Sequence, residues 1–179
     1  MLPRDRRAGR GEPGDPLWWP RALQGSGRHD NPGAYGCMYV SASPLSPLAE
    51  ALAPFRNSAD LVPEMLVRGG LPLALATLRL ADRCELVDLD DPAVLGAEGL
   101  RPSAVATRDR VRTQAQATDL HRRHPRAAGL RWWSTLESLW ENLTLFDRAG
   151  EALEVESQRT LDRTDPLVAE AATFLGLRV

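Results

Sequence analysis

The chain has 179 residues, 43% of them hydrophobic, and a formal net charge of −2 at pH 7. This length suits one domain with a full core, and the balanced charge argues against a general nucleic-acid binder, which carries a basic excess. No apolar run reaches the roughly 18 residues of a membrane span, and the charged start Met1–Arg7 lacks the apolar stretch of a secretory signal. The composition therefore predicts a cytoplasmic protein that does not enter a membrane.

The cysteines and histidines are few and scattered, so no metal is expected. Cys37 and Cys84 lie far apart in apolar surroundings, which predicts two reduced thiols. His121 and His124 have helical spacing but stand among arginines, without a ligand motif around them. The chain contains no lysine, so every cationic side chain that could contact an anion is a planar arginine.

The first part of the chain predicts a polar segment, a strand and a helix. Residues 1–16 are rich in Gly, Pro and Arg, which indicates a tail or a degenerate first strand ahead of a domain at 17–179. The β-prone run at 35–41 predicts a strand. A helix is expected to begin at Ser43-Pro44 or Ser46-Pro47, because Ser is favoured at the N-cap and Pro in the first turn.

The rest of the chain predicts short elements in mixed order. Helices are expected after Pro92 and at 107–124 and 166–175, and the segment 134–140 is predicted as a helix or a turn. Because strands and helices do not alternate regularly, we predict an α+β single domain with small mixed sheets flanked by helices, not a doubly wound parallel sheet. Strands are expected at 73–80, 84–89, 130–133, 142–146 and 152–156.

Three residues in the first part of the domain are candidates for a binding site. Arg28 in its Gly-flanked loop suits a phosphate, or is an exposed turn residue paired with Asp30. Tyr39 suits stacking on a flat heterocycle, or is a core tyrosine whose hydroxyl is already bonded. Glu50 suits a ribose hydroxyl and a developing positive charge, or is a solvated helix residue.

Ser134 is the fourth candidate, because it follows a predicted strand. It is either a ligand donor or the cap of a helix, since Ser-Thr-Leu-Glu forms a capping box with Glu137, and the two roles are compatible. The sequence contains no recognisable His–Asp partners that would make it a nucleophile. The five tryptophans indicate core packing, and the Arg-rich stretches 108–112 and 122–126 indicate solvated helix faces.

Four motifs together resemble a known family. They are Gly-Arg-His-Asp-Asn-Pro-Gly (27–33), Gly-Cys-Met-Tyr-Val-Ser (36–41), Pro-Leu-Ala-Glu-Ala-Leu (47–52) and Gly-Leu-Arg-Trp-Trp-Ser-Thr-Leu (129–136). With them the chain resembles the RES domain family, the toxin half of bacterial Xre–RES toxin–antitoxin pairs, over residues 17–176. The family is named for its Arg, Glu and Ser, and these match Arg28, Glu50 and Ser134, with Tyr39 as the intervening Tyr.

The resemblance implies a fold similar to that of ADP-ribosyltransferase toxins and an enzyme that breaks the nicotinamide–ribose bond of NAD. Water or phosphate would be the acceptor, so NAD is a substrate and phosphate the one implied co-substrate. Depletion of NAD would stop growth, and an Xre-like antitoxin would cover the cleft. The sequence leaves a homo- or hetero-oligomer and its stoichiometry open.

The resemblance also implies a role for each site residue. Arg28 would grip the pyrophosphate, Tyr39 would orient the nicotinamide side, and Glu50 would stabilise the charge that develops on the ribose. Ser134 would position the nicotinamide or its ribose. An extra Arg that family members carry upstream corresponds best to Arg7, a further candidate for the pyrophosphate.

The chain departs from the family pattern in two places. The segment around Arg7 is too polar to predict a firm strand, and His29 stands where an aromatic residue often follows the loop Arg. Two other functions therefore stay open beside NAD cleavage. One is a catalytically weak module that binds a nucleotide or a partner, and the other is ADP-ribosyl transfer to a macromolecule.

Overall fold

A computed structural model describes residues 11–56 and 58–179 of the protein. The strands are β1 (Cys37–Ser41), β2 (Val67–Arg68), β3 (Leu71–Pro72), β4 (Ala74–Leu80), β5 (Leu86–Asp88), β6 (Gly129–Trp133), β7 (Glu141–Phe146) and β8 (Leu153–Thr160). The helices are α1 (Leu45–Leu52), α2 (Pro92–Glu98), α3 (Pro102–Val105), α4 (Arg110–Arg123) and α5 (Pro166–Leu175). Short 3-10 turns occur at Arg21–Leu23, Ala53–Phe55, Pro63–Leu66 and Asp147–Ala152.

The largest sheet has four strands in the order β1-β7-β6-β5. β7 pairs antiparallel with both β1 and β6, whereas β5 lies parallel to β6. A parallel pair needs a crossover connection, and α2, α3 and α4 provide it between β5 and β6. The pairs β2-β3 and β4-β8 form two small antiparallel sheets. This mixed arrangement confirms the predicted α+β class.

Capping side chains and a glycine set the ends of the helices. Asp91, Asp109 and Asp165 precede α2, α4 and α5, and each carboxylate accepts a hydrogen bond from a backbone N–H of the first turn. α1 begins directly after Pro44, the earlier of its two predicted starts, and has no side-chain cap. α5 ends at Gly176, whose φ of 74° is a left-handed geometry that glycine adopts without strain.

The described residues form three hydrophobic cores, and the first and second of them border the site. The first core packs α2, α3 and α4 against β5, β6 and β7, and the second core packs α1 against α5. Burial of apolar side chains is the main driving force for both. The first core includes Tyr35, Leu95, Val105, Leu120, Leu130 and Phe146, and the second includes Leu48, Leu52, Leu61, Val168 and Leu175.

The segment 134–140 forms turns and not a capped helix, so the predicted capping box is wrong. The Ser134 hydroxyl accepts from the Leu136 N–H, and the Glu137 carboxylate accepts from the Leu139 N–H. Each acceptor thus closes a local turn two residues long, which competes with helix formation. Leu139 in this segment is 89% exposed, so it does not pack as the apolar face of a helix would.

The N-terminal prediction is only partly covered by the structure. Residues 11–16 form turns rather than a strand. Residues 1–10, which include Arg7, lie outside the described residues, and the division between 1–16 and 17–179 stays a prediction. In the described part of the chain, no helix has both the length and the apolarity to cross a membrane.

Candidate active site

A cavity of about 290 Å³ lies where the loop before β1 meets α1, the start of α4 and the strands β6 and β7. Three of the predicted residues, Arg28, Tyr39 and Glu50, line it together. They stand on a loop, a strand and a helix, so the fold brings separate motifs to one place. The other lining residues are Gly27, Val40, Ser41, Ser46, Pro47, Arg110, Trp132, Thr135 and Asn142.

Arg28 is a buried cation held by backbone carbonyls. It is only 4% exposed, and its Nη1 donates to the carbonyls of Val105 and Thr107 at 2.7 and 2.8 Å. The guanidinium also lies 5.0 Å from the ring centroid of Trp132, a cation–π distance. The alternative of an exposed turn residue paired with Asp30 is therefore wrong. Burial, and after it the charge of Arg110, lowers the pKa of Arg28.

Asp30 organises the loop that carries Arg28. Its carboxylate accepts from the N–H groups of Gly25 and Gly27 at 2.8 and 2.7 Å, and from the Tyr39 hydroxyl at 2.7 Å. Burial by itself raises the pKa of Asp30, but these hydrogen bonds outweigh it and lower the pKa below its usual value. The carboxylate therefore stays charged and fixes the loop against β1.

Tyr39 combines both sequence interpretations. Its hydroxyl donates to Asp30 and accepts from the His29 N–H at 2.8 Å, so the polar end belongs to the loop network. The side chain as a whole is 40% exposed and lines the cavity. What Tyr39 offers a ligand is therefore mainly its ring, suited to stacking, and burial of the hydroxyl raises its pKa.

Glu50 lines the cavity from α1, and Ser134 lies next to it. The Ser134 hydroxyl donates to Glu50 Oε1 at 3.1 Å while accepting from the Leu136 N–H. Ser134 is 2% exposed and is absent from the lining, whereas the next residue, Thr135, is part of it. The four predicted residues thus lie together. Ser134 does not line the cavity itself, but it hydrogen-bonds to Glu50, which does.

His29 is a neutral residue beneath the site. It is 3% exposed, and its Nδ1 lies 2.7 Å from Thr144 Oγ1. Burial, followed by the nearby charge of Arg28, lowers the pKa of His29 to about 3. The ring stays neutral at physiological pH, packs edge-on against Trp132 and cannot act there as a general acid.

Sequence reasoning did not select Trp132, Arg110 and Asn142, among other lining residues. Trp132 was assigned to the core, which its 7% exposure supports, but its ring also underlies Arg28. Arg110 was assigned to a solvated helix face, and Asn142 to a strand. The Asn142 Oδ1 accepts from Ser46 Oγ on α1 at 3.0 Å, a contact that only the sheet order reveals. The proximity of Trp132 to Ser134 in the chain was the one available signal.

The described residues contain no group of three or more His, Cys, Asp or Glu side chains arranged to hold a metal ion. Both cysteines are free thiols: Cys37 is buried, and Cys84 is half-buried. Cys37 donates to Asp30 at 3.2 Å, and burial raises its pKa to about 12. It is therefore a protonated member of the loop network and not a nucleophile.

Comparison with solved structures identifies the class of fold. The chain is similar to one in the crystal structure of the M. tuberculosis MbcT–MbcA toxin–antitoxin complex, with a TM-score of 0.58 at 19% identity. The match covers 85% of this chain and 76% of the other. The sequence profile of the RES domain matches residues 4–168. The protein belongs to the RES domain family. A search of curated proteins found no match.

Proposed function

We propose that the protein is a toxin-like enzyme that degrades NAD by cleaving the nicotinamide–ribose bond. Its membership of the RES domain family supports this assignment, as does its fold, which is shared with a chain of a toxin–antitoxin complex. The finer assignment depends on the cavity, because a fold alone does not define a reaction.

The observation that carries the proposal is the pairing of a buried guanidinium and an oriented carboxylate on one cavity. Arg28 is fixed by two carbonyls and has no carboxylate partner among the described residues, so an anionic ligand would supply its counter-charge. Glu50 is held at one oxygen by Ser134, which leaves its other oxygen for a ligand. NAD carries the two groups that this pair suits, a diphosphate and a ribose that becomes positive during cleavage.

The proposed reaction is a substitution at the ribose carbon that bears nicotinamide. The C–N bond breaks with its electron pair going to the pyridine nitrogen, so nicotinamide leaves neutral and needs no general acid. Positive charge grows on the ribose, and Glu50 stabilises it electrostatically. Water then attacks to give ADP-ribose and a proton, or phosphate attacks to give ADP-ribose 1-phosphate. In this proposal the ring of Tyr39 packs on the nicotinamide side.

An enzyme of this kind needs an inhibitor in the cell that makes it. We therefore propose an Xre-type antitoxin as the partner that covers the cavity. Its support is the family and the neighbour's description as a toxin–antitoxin complex. Co-expression with the candidate antitoxin should restore NAD levels and growth in cells that carry the wild-type protein.

The test is an NAD cleavage assay on the purified protein, with products separated by chromatography. Glu50→Gln removes the charge but keeps the side-chain shape, and we expect it to lower kcat at least about 100-fold. Glu170→Gln on α5 makes the same change at an exposed position away from the cavity and should keep full activity. Equal activity of wild type and Glu50→Gln would overturn the proposal.

The same assay separates the acceptors. With phosphate in the buffer, a phosphorylase yields ADP-ribose 1-phosphate, whereas a glycohydrolase yields ADP-ribose under both conditions. Label transferred from NAD to protein would favour ADP-ribosyl transfer instead. A folded wild-type protein that binds NAD without releasing nicotinamide would favour the binding module. In cells, induction of the wild type should lower NAD, and induction of Glu50→Gln should not.

A further inference from the structure

The charged residues that line the cavity are two arginines and one glutamate, Arg28, Arg110 and Glu50. The cavity is therefore positive, although the whole chain carries a net charge of −2. Arg110 is the first residue of α4, and no carboxylate pairs with it among the described residues. Its neighbours Arg108 and Arg112 are exposed as well, so the rim at the start of α4 is strongly cationic.

The guanidinium of Arg28 has donors left over for a ligand. Its carbonyl contacts involve Nη1 alone, and Nε and Nη2 donate to no described residue. In the described part of the chain, the fully buried side-chain nitrogens and oxygens without a hydrogen-bond partner are Glu98 Oε2, which forms an ion pair with Arg123, and Arg131 Nε. Nε and Nη2 of Arg28 are not among these atoms and so keep some accessibility, and Arg28 is one of the residues that line the cavity. A buried cation with free donors is suited to bind an anion.

Arg110 lines the same cavity as Arg28, but from helix α4. α4 is tied to the Arg28 loop, because Thr113 Oγ1 donates to the Arg28 carbonyl at 2.6 Å and Gln114 Nε2 donates to the Gly27 carbonyl at 2.8 Å. Arg110 lies one turn before these contacts, so its position relative to Arg28 is fixed by the fold. The Asp109 carboxylate caps α4 by accepting from the Arg112 N–H and forms no ion pair with Arg110 among the described residues.

We propose that Arg110 supplies, from α4, a second contact to the diphosphate for which Arg28 is the proposed first contact. The assignment rests on the proposed function in one respect, the choice of a dinucleotide diphosphate as the anion. Free inorganic phosphate offers the same chemistry and is the other source of such an anion. Two guanidiniums match the two negative charges of a diphosphate, which favours the dinucleotide.

Binding of ADP-ribose, measured by calorimetry, tests the site without requiring turnover. ADP-ribose keeps the diphosphate and lacks nicotinamide, and adenosine serves as the uncharged probe. Arg110→Gln should weaken ADP-ribose binding about tenfold or more, since a charge-assisted contact is lost, and should leave adenosine binding unchanged. Arg112→Gln removes the same charge two residues away, outside the lining, and should change ADP-ribose binding less than about twofold.

Three outcomes would overturn the site. They are equal effects of Arg110→Gln and Arg112→Gln, no effect of either, and no binding of ADP-ribose to the wild type. If Arg110→Gln leaves ADP-ribose binding intact but abolishes the phosphate dependence of NAD cleavage, Arg110 contacts inorganic phosphate, and its assignment to a dinucleotide diphosphate is overturned. If the wild type does not cleave NAD but binds ADP-ribose in a way that depends on Arg110, the proposed reaction is refuted and the diphosphate site is retained.

Discussion

Ser134 acts on the proposed chemistry through Glu50 and not by contact with the substrate. Its hydroxyl donates to Glu50 Oε1 at 3.1 Å, and the residue is 2% exposed. Ser134→Ala removes this donor and frees the carboxylate to rotate. We expect kcat for NAD cleavage to fall about tenfold, equivalent to about 1.4 kcal/mol of transition-state stabilisation, with little change in KM.

A double variant distinguishes positioning from direct contact. If Ser134 works through Glu50, Ser134→Ala adds almost nothing to the loss caused by Glu50→Gln. Ser138→Ala, in the same turn segment but exposed, is the matched control and should behave like the wild type. Independent, additive losses would mean that Ser134 contacts the substrate itself.

His29 makes the stability of the protein depend on pH. Burial lowers the pKa of His29 to about 3, against 6.5 in the unfolded chain. Between these two pH values the unfolded state binds a proton that the folded state does not bind. Below pH 6.5 protonation therefore favours unfolding, and stability falls as the pH drops towards 3. The contribution reaches about 1.4 kcal/mol per pH unit.

Urea denaturation between pH 7 and pH 4 measures this effect. His29→Asn keeps a nitrogen near Thr144 but does not titrate, so its unfolding free energy should vary less with pH than that of the wild type. The variant is expected to be less stable at pH 7, because it loses the ring. The test compares the slopes of unfolding free energy against pH. Equal slopes for the two proteins would contradict a neutral buried His29.

At the scale of an element, the conformation of the loop before β1 requires a glycine at position 27, next to the hydrogen bond between Asp30 and Tyr39. A Cβ on Gly27 would lie 2.5 Å from both Asp30 Oδ1 and the Tyr39 hydroxyl, two atoms held by their mutual hydrogen bond. Gly27→Ala should therefore cost about 1–3 kcal/mol in unfolding free energy. Gly33→Ala, in the same loop with open space around it, should be close to neutral. Equal stability of both variants in urea would contradict this account.

Local sequence rules predicted the elements whose ends are chemically marked. α5 was predicted at its observed bounds, because Pro166 opens it and Gly176 closes it. The first strand was also predicted, from its β-prone run. The segment 134–140 was harder, since Ser134 can cap a helix or close a turn, and its long-range bond to Glu50 accompanies the turn. Tertiary contacts of this kind leave no local pattern.

The candidate site was predicted in the same uneven way. The motif resemblance selected Arg28, Tyr39 and Glu50, and the fold does bring them to one cavity. Arg110 and Asn142 could not be selected, because their positions depend on how α4 crosses over and on the strand order β1-β7-β6-β5. A helix start rich in arginine is usually a solvated face, so composition alone points away from the site.

Across the whole molecule, the cavity lies between the first and second cores. Glu50 belongs to α1, which packs on α5 in the second core, whereas Arg28 is bonded to Val105 of the first core. Two hydrogen bonds join α1 to the sheet side, Ser46 to Asn142 and Ser134 to Glu50. The distance between carboxylate and guanidinium is therefore set by how the two cores are held together.

This arrangement predicts that equal damage to the two cores has unequal effects on the reaction. Leu52 is fully buried in the second core, one half-turn from Glu50, and Leu120 is fully buried in the first core near the far end of α4. Leu52→Ala and Leu120→Ala should each cost about 2–5 kcal/mol of unfolding free energy.

Only the space left under α1 lets Glu50 shift, and a displacement of about 1 Å can cost 100-fold in rate. We expect kcat to fall at least about tenfold for Leu52→Ala and less than about threefold for Leu120→Ala, measured where urea curves find both variants folded. Equal losses of kcat would mean that the geometry of the site does not depend on the packing of α1.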